Sequence, residues 1–471
     1  MIRQVLGRMS NTYDSLALDP ALMEGACLRW LEAQEEESLP VLLLSGGGPS
    51  EDARFHLLAR RPRLRLRSRG TVEGPSSPIE VLDAEGEPRE EFPVQALPSM
   101  LRKWDGMRKE DGLPGSPCFF GWVGYDYAWA NEYGLPRTIP SLPSGIPVIH
   151  LGLYEEVLVL DRLEGAMYGP RAALEEFGSF EGEEAPDQLF PRLLSPPESD
   201  LDRESYLAAV ARIRRHCLEG DLFQADLSRR IRCRVDEGAV SLFRRLATTS
   251  PAPFSAFLSL GPGRAVLSSS PEEFLRFCGD RVLSSPIKGT EPRGRNPEED
   301  ALLRARLLGS EKDLAELGMI VDLIRNDLGR HARPGSVEVR GFPSLLELPH
   351  VYHLFAEVRA EREEGVSPWE ILLSAFPPGS IVGAPKPKAL EILEGLERSR
   401  RGVYTGSIGW MDTALRGRWN VAIRTLSYDH GLLNFGVGGG VTALSDPQAE
   451  WEETVDKAQG FARMLGWEGE L

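Results

Sequence analysis

Apolar residues in this chain come in short runs bounded by turn residues, and that pattern limits the fold more than any other feature. Val41-Leu42-Leu43-Leu44 stops at Ser45-Gly46-Gly47-Gly48-Pro49, and Val157-Leu158-Val159-Leu160 is a second such run. Short apolar runs flanked by Gly and Pro read as strands. Strand-like stretches recur at Val403 to Met411 and Trp419 to Tyr428. No apolar run approaches the ~18 residues of a membrane span, and Met1-Ile2-Arg3-Gln4 opens no apolar leader, so no membrane partner is expected. Amphipathic helices separate the strands. One runs from Ser205 to Glu219 and stops at Gly220. In Lys312 to Leu328 the apolar stripe is Leu314, Leu317, Val321, Ile324 and Leu328, with Asp313 and Glu316 on the adjoining face. In Gln448 to Leu465 it is Trp451, Val455, Ala458, Ala462 and Leu465, with Glu450, Glu453 and Lys457 beside it. Helical spacing in one place and strand runs in another give an α+β class.

The 471 residues allow two or three domains, or one large intertwined unit, at ~100–200 residues per domain. Residues 178–204 are acidic and proline-bearing without a sustained period, which predicts a linker and a boundary near 200, with regions 1–200 and 201–471. The chain carries 54 Lys and Arg against 71 Asp and Glu, a net charge of −17. That is the wrong sign for a protein that follows nucleic-acid phosphates or an anionic membrane. The five cysteines are odd in number and never spaced as C-x-x-C, which argues against a disulfide framework and a zinc site and fits a reducing cytoplasm.

Several residues could carry chemistry. Two helices that each offer a carboxylate pair could hold a hard divalent ion such as magnesium, or simply face solvent. The glycines at Gly436-Val437-Gly438-Gly439-Gly440 and Gly379 to Lys386 could cup a carboxylate or serve turns. A phosphate loop is excluded, because G-x-x-x-x-G-K-[ST] is absent and Pro385 lacks an amide donor. In Trp419 to Leu426, Arg424 shares a face with Ala422 if the strand is continuous, and needs either a salt-bridge partner or an anionic ligand. His353 is a core histidine or a ligand contact. Lys288, in Ser284-Ser285-Pro286-Ile287-Lys288-Gly289-Thr290, stands in small, apolar surroundings that would lower its pKa toward a nucleophile, the alternative being a solvated loop lysine.

Taken together and in order, these segments resemble the chorismate-utilising enzymes. The resemblance runs from Gly220-Asp221-Leu222-Phe223-Gln224 through Pro253-Phe254-Ser255-Ala256-Phe257-Leu258, Ser270-Pro271-Glu272-Glu273-Phe274 and Pro286-Ile287-Lys288-Gly289-Thr290. It continues through Met319 to Leu328, Gly383-Ala384-Pro385-Lys386, Gly406-Ser407-Ile408-Gly409, Ala422-Ile423-Arg424-Thr425 and Glu450 to Lys457. It covers essentially all of 201–471, and less tightly Leu42 to Ser45, Ser50 to Pro62 and Phe120 to Asp126. The fold it implies is two antiparallel sheets packed face to face with helices outside.

The resemblance implies a magnesium-dependent chorismate site. By position Glu316, Glu450 and Glu453 match metal carboxylates, with Asp313 in place of a glutamate. His353, Ser380, Tyr404, Arg424, Gly438, Gly439, Gly440 and Lys457 match residues around the ring and its two carboxylates. Glu272 matches the general acid for the C4 hydroxyl and Lys288 the nucleophile. Anthranilate-forming members usually carry Ala at the Lys288 position. A lysine there implies amination at C4, giving 4-amino-4-deoxychorismate on the folate branch, with ammonia from a glutamine amidotransferase partner. Anthranilate formation is the alternative, and a catalytically silent chorismate- or tryptophan-binding subunit a third reading. Ser45, Pro253, Phe254 and Ser255 match a tryptophan pocket. The chain departs from the common pattern at Leu317, Gly318 and Pro387, none of them a proposed ligand.

Overall fold

The computed structural model describes residues 14–18, 22–46, 53–105, 118–130, 138–139, 145–180, 190–347 and 351–469. Two twelve-stranded sheets dominate it, and every strand pairing among the described residues is antiparallel. The first sheet runs, in spatial order, Asp14–Ala17, Ala166–Gly169, Val157–Asp161, Phe55–Ala59, Val41–Leu44, Phe254–Ser259, Arg264–Ser270, Thr425–Asp429, Leu432–Thr442, Gln224–Val235 and Leu193–Ser199, with Gly383–Ala384 also beside Gln224. The second runs Ile287–Pro292, Val351–Glu361, Arg281–Ser285, Glu273–Cys278, Gly417–Asn420, Ser407–Asp412, Cys118–Val123, Ile149–Tyr154, Leu64–Ser68, Pro78–Asp83 and Pro88–Pro93, with Glu338–Glu347 on Val351–Glu361. Each sheet draws strands from both sides of residue 200: Val41–Leu44 pairs with Phe254–Ser259, and Cys118–Val123 with Ser407–Asp412.

The apolar runs are continuous because both faces of these strands are buried. Val41 turns into a layer between the sheets with Trp122, Tyr154, Ala256 and Val266. Leu42 and Leu44 turn the other way, under helices that bring Leu31, Phe243 and Phe461. Phe120 and Phe119 divide in the same manner, Phe119 joining Leu101, Ile320 and Trp369 on the helix side of the second sheet. This is the expected arrangement of packed sheets with helices outside.

The helix ends follow local chemistry. Asp202 caps Arg203–Glu219 by accepting from the Ser205 amide, and Gly220 ends it at φ 83°. Ser310 caps Glu311–Gly329, and Asp446 with Pro447 opens Pro447–Leu465. Gly318 sits inside the first of these without interrupting it. Among the described residues no helix is long and apolar enough to cross a membrane.

Three expectations need correction. The 178–204 stretch is not a linker where it is described: Leu193–Ser199 is a strand and Arg203 already begins a helix, while 181–189 lie outside the described residues. Pro196 and Pro197 hide this strand from sequence reading, yet proline is tolerated at a sheet edge, where this strand lies. Trp419 to Tyr428 is not one strand. Gly417–Asn420 belongs to the second sheet and Thr425–Asp429 to the first, and the chain crosses between them with Arg424 at φ 48°. Val403 to Met411 likewise becomes a strand only at Ser407. The turn cluster after Ser45 falls largely outside the described residues.

Candidate active site

The glycine-rich strand Leu432–Thr442 lies against Gln224–Val235, with Gly440 opposite Asp226, Gly439 opposite Leu227 and Gly438 opposite Ser228. The helix Pro447–Leu465 then folds back over it. A Cβ at Gly439 would stand 3.2 Å from both Glu450 Oε2 and Glu453 Oε1, so bare backbone is what lets two carboxylates approach this strand. Lys457, one turn further, donates to the Gly438 carbonyl at 3.0 Å and pairs with Glu453 at 2.5 Å. At Gly440 a side chain would collide with the Gln224 amide.

The helix Glu311–Gly329 brings Glu316 to the same region. Burial pushes its carboxyl up, Asp226 and Asp313 add to this, and Lys288 and Lys312 oppose it. Burial, then Glu453, raises Glu450 as well. Burial acts on Glu453 in the same sense, but Lys457, Lys312 and Lys288 outweigh it and hold that carboxyl below its usual range. Glu316 Oε1 and Glu450 Oε2 are buried without a hydrogen-bond partner. Buried carboxylate oxygens in that condition suit a hard divalent cation.

The side chains do not converge into a closed cage. Among the described residues, the three potential ligand atoms found within 4.8 Å of one another belong to His216, Glu219 and Asp221, on the surface. Asp313 is engaged elsewhere: its carboxylate accepts from the Ser310 hydroxyl that caps its own helix, and it lies against Gly289.

Lys288 lies in Ile287–Pro292, beside Val351–Glu361, which carries His353. Its Nζ is 3.5 Å from the Ser380 carbonyl. Small, apolar neighbours in sequence suggested a lowered pKa, and the structure reverses this. Burial does pull the ammonium down, but Asp226, Glu316, Glu272 and Glu453 surround it and together hold it above the ordinary lysine value. Glu272 is buried, and burial raises its carboxyl despite the Ser380 hydroxyl, which donates to it, and Lys288. A carboxyl that burial makes hold its proton more firmly is suited to act as a general acid.

His353 Nδ1 is 3.2 Å from the Gly289 carbonyl and 2.9 Å from Thr290 Oγ1. A carbonyl only accepts, so Nδ1 donates to it and Nε2 keeps its lone pair. Burial lowers the pKa of this imidazole, and Arg424 adds to the effect. Arg424 is exposed, and its guanidinium pairs with no carboxylate among the described residues. The ring of Tyr404 fills the space that a side chain at Gly436 would need. Asp226 and Lys312 belong to this region and were not singled out from the sequence. The pairing of Asp226 with Gly440 places the first, and Lys312 Nζ lies 3.9 Å from Glu316 Oε1.

Ser45, Pro253, Phe254 and Ser255 line one cavity of about 120 Å³, with Leu44 and Asn420. The Ser45 amide donates to His56 Nδ1 at 3.0 Å and its hydroxyl to the Phe55 carbonyl at 2.8 Å. None of the residues around Lys288 lines this cavity.

The profile of the chorismate binding enzymes matches residues 60–463. An anthranilate synthase component 1 of Haloarcula marismortui is 35% identical over 412 residues, 81% of this chain and 82% of that protein. The aminodeoxychorismate synthase component 1 of Klebsiella aerogenes is 33% identical over 427 residues, 90% of this chain and 93% of that protein. The crystal structure of anthranilate synthase component I from Streptococcus pneumoniae TIGR4 superposes with a TM-score of 0.72 at 26% identity, covering 89% of this chain and 94% of that one. With a family match over residues 60–463 and relatives at 33–35% identity over most of its length, the chain belongs to the chorismate-binding enzyme family.

Proposed function

We propose that the chain aminates chorismate at C4, giving 4-amino-4-deoxychorismate, the precursor of para-aminobenzoate on the folate branch, in the cytoplasm. The observation that carries this reading is Lys288, a lysine amid carboxylates with Ser380 between it and the buried acid Glu272. Glu272 delivers its proton to the C4 hydroxyl, which leaves as water while the Lys288 amine adds at C2 and the ring double bond shifts. Lys288 starts as an ammonium, and Asp226 is the carboxylate at hand to take its proton. Ammonia then adds at C4, and the C2–N bond to Lys288 breaks as the double bond returns. Arg424, Lys457 and the Gly438 to Gly440 backbone bind the two substrate carboxylates. Glu316, Glu450 and Glu453 would hold magnesium, which would supply positive charge toward the ring carboxylate.

A glutamine amidotransferase subunit supplies the ammonia. Burial raises all five thiols in this chain, Cys217 to about 11 and Cys233 to about 12, with Cys27, Cys118 and Cys278 also raised. A glutaminase nucleophile requires the thiolate. Formation of anthranilate is the second reading, supported by the anthranilate synthase relatives. Product analysis of the purified chain with chorismate, magnesium and an ammonium salt at alkaline pH separates the two, because nitrogen ends at C4 in one and C2 in the other. Lys288→Ala should abolish the C4 product, and an unchanged rate and product would remove Lys288 from the mechanism. Glutamine without ammonium salt should give no product unless a second protein is present.

A further inference from the structure

The layer between the sheets is apolar around Val41, Trp122 and Tyr154, and then changes character. A second cavity, of about 360 Å³, lies between the sheets, walled by Arg65, Arg67 and His150 of one sheet and Arg230, Arg264 and Ser427 of the other. Eight arginines and three acidic residues line it, in a chain whose net charge is −17. Such a concentration of positive charge against the global sign requires a local reason.

Part of that charge is consumed by the fold. Arg67 pairs with Glu80 at 2.9 Å, Arg400 takes Glu73 through both terminal nitrogens at 2.6 and 2.8 Å, and Arg401 is paired with Glu397 at 2.6 Å. Arg69 lies 3.6 Å from Glu91 and Arg229 Nε donates to Thr454 at 2.9 Å, while Arg65, Arg230 and Arg264 pair with no carboxylate among the described residues. Arg65 Nε, Arg230 Nη1, Arg264 Nε and both ring nitrogens of His150 are buried without a hydrogen-bond partner. Arg230 is 7% exposed and His150 4% exposed. Asp200 accepts from the Arg230 backbone amide and Asp126 from the Gly402 amide, and although both favour the Arg230 charge, burial still holds that guanidinium down to about 10. A buried donor left unpaired costs about 1–3 kcal/mol, and more when charged. Three guanidinium nitrogens and the single N–H of a neutral His150, in side chains that line one cavity, favour an acceptor-rich guest.

We propose that this cavity binds a compact oxyanion with at least two negative charges, a small dicarboxylate or a phosphate, with Arg230, Arg264, Arg65 and His150 as its donors. Guanidinium groups suit this ligand class because they present planar pairs of N–H donors to carboxylate or phosphate oxygens. The volume falls within the range of small-molecule sites. The site is separate from that of chorismate. Lys288, Glu272, Glu316 and Glu453 do not line it, and the two regions border each other at Ser228, Tyr404 and Gly436.

The test is isothermal titration of the full-length chain, in low salt at neutral pH, with succinate and with inorganic phosphate. Saturable binding of at least one of them is expected. Succinate alone would identify a dicarboxylate receptor, and phosphate a general oxyanion site. Arg230→Gln and Arg264→Gln should each weaken binding by about tenfold or more, the loss expected for one charge-assisted hydrogen bond. Arg424→Gln, in the candidate active site, should change it less than twofold. If Arg230→Gln fails to fold, as judged by its circular dichroism, Arg264→Gln and Arg65→Gln carry the test. Absence of saturable binding by either anion would overturn the proposal. So would binding that survives the cavity variants or is lost in Arg424→Gln, since the anion would then occupy the chorismate region.

Discussion

Lys386 donates to Asp327 Oδ2 at 2.6 Å and to the Ala375 carbonyl at 2.7 Å, inside the protein. This ties the last turns of Glu311–Gly329, the helix that carries Glu316, to the start of Lys386–Glu394, just after the Gly379–Ile381 turn that carries Ser380. Burial raises the Asp327 carboxyl, and Lys386 counters it. The pair therefore joins two parts of the candidate site from behind. Lys386→Met would leave a buried carboxylate unpaired and should cost about 3–5 kcal/mol in urea unfolding. Adding Asp327→Leu should recover much of that loss. A double variant no more stable than Lys386→Met alone would show that the charges do not depend on each other.

Gly436→Ala would drive a methyl group into the Tyr404 ring. Overpacking of this kind costs about 1–3 kcal/mol. The expected outcome is a lower melting temperature together with a raised KM for chorismate, because Tyr404 must move. Unchanged stability and KM would show that the ring yields freely.

Glu453→Gln removes one charge and nearly keeps the shape. If Glu316, Glu450 and Glu453 hold magnesium, the variant should fold normally and require at least tenfold more Mg²⁺ for half-maximal rate, a loss of about 1.4 kcal/mol in metal binding. A magnesium requirement identical to the parent's would remove Glu453 from the metal site. Full activity in chelator would remove the metal.

Burial lowers His56 to about 3, with Arg162 adding to it. It lowers His150 to about 3 as well, with Arg65 and Arg67 adding to it. Unfolded histidines bind protons near pH ~6.5, so between there and about pH 3 the unfolded chain holds protons that the folded chain refuses. The stability from each is complete above pH ~6.5 and falls as the pH drops, by up to about 1.4 kcal/mol per pH unit. Glu272, Glu316 and Glu450 have raised values and act in the opposite sense. The informative measurement is therefore a difference: His150→Gln should flatten the loss of stability between pH 6 and 4.5 relative to the parent. Parallel curves would show that His150 accepts a proton in the folded state.

What the sequence by itself determined is local. The stop at Gly220 was visible because glycine readily takes the left-handed conformation that ends a helix. The class followed from apolar runs and helical stripes, and the family from motifs whose order survives in the chain. Tertiary structure decided the rest. Leu42 and Val41 are equally apolar, and only the second layer sends one to the helices and the other between the sheets. Trp419 to Tyr428 has strand composition throughout, yet its middle crosses between sheets because each half finds hydrogen bonds in a different one. Lys288 looks like a lysine that would readily lose its proton until Asp226, Glu316, Glu272 and Glu453, distant along the chain, gather around it. Periodicity records which face of an element is buried. The charge state of a group depends on what the fold brings within a few ångströms of it, and no spacing along the chain records that.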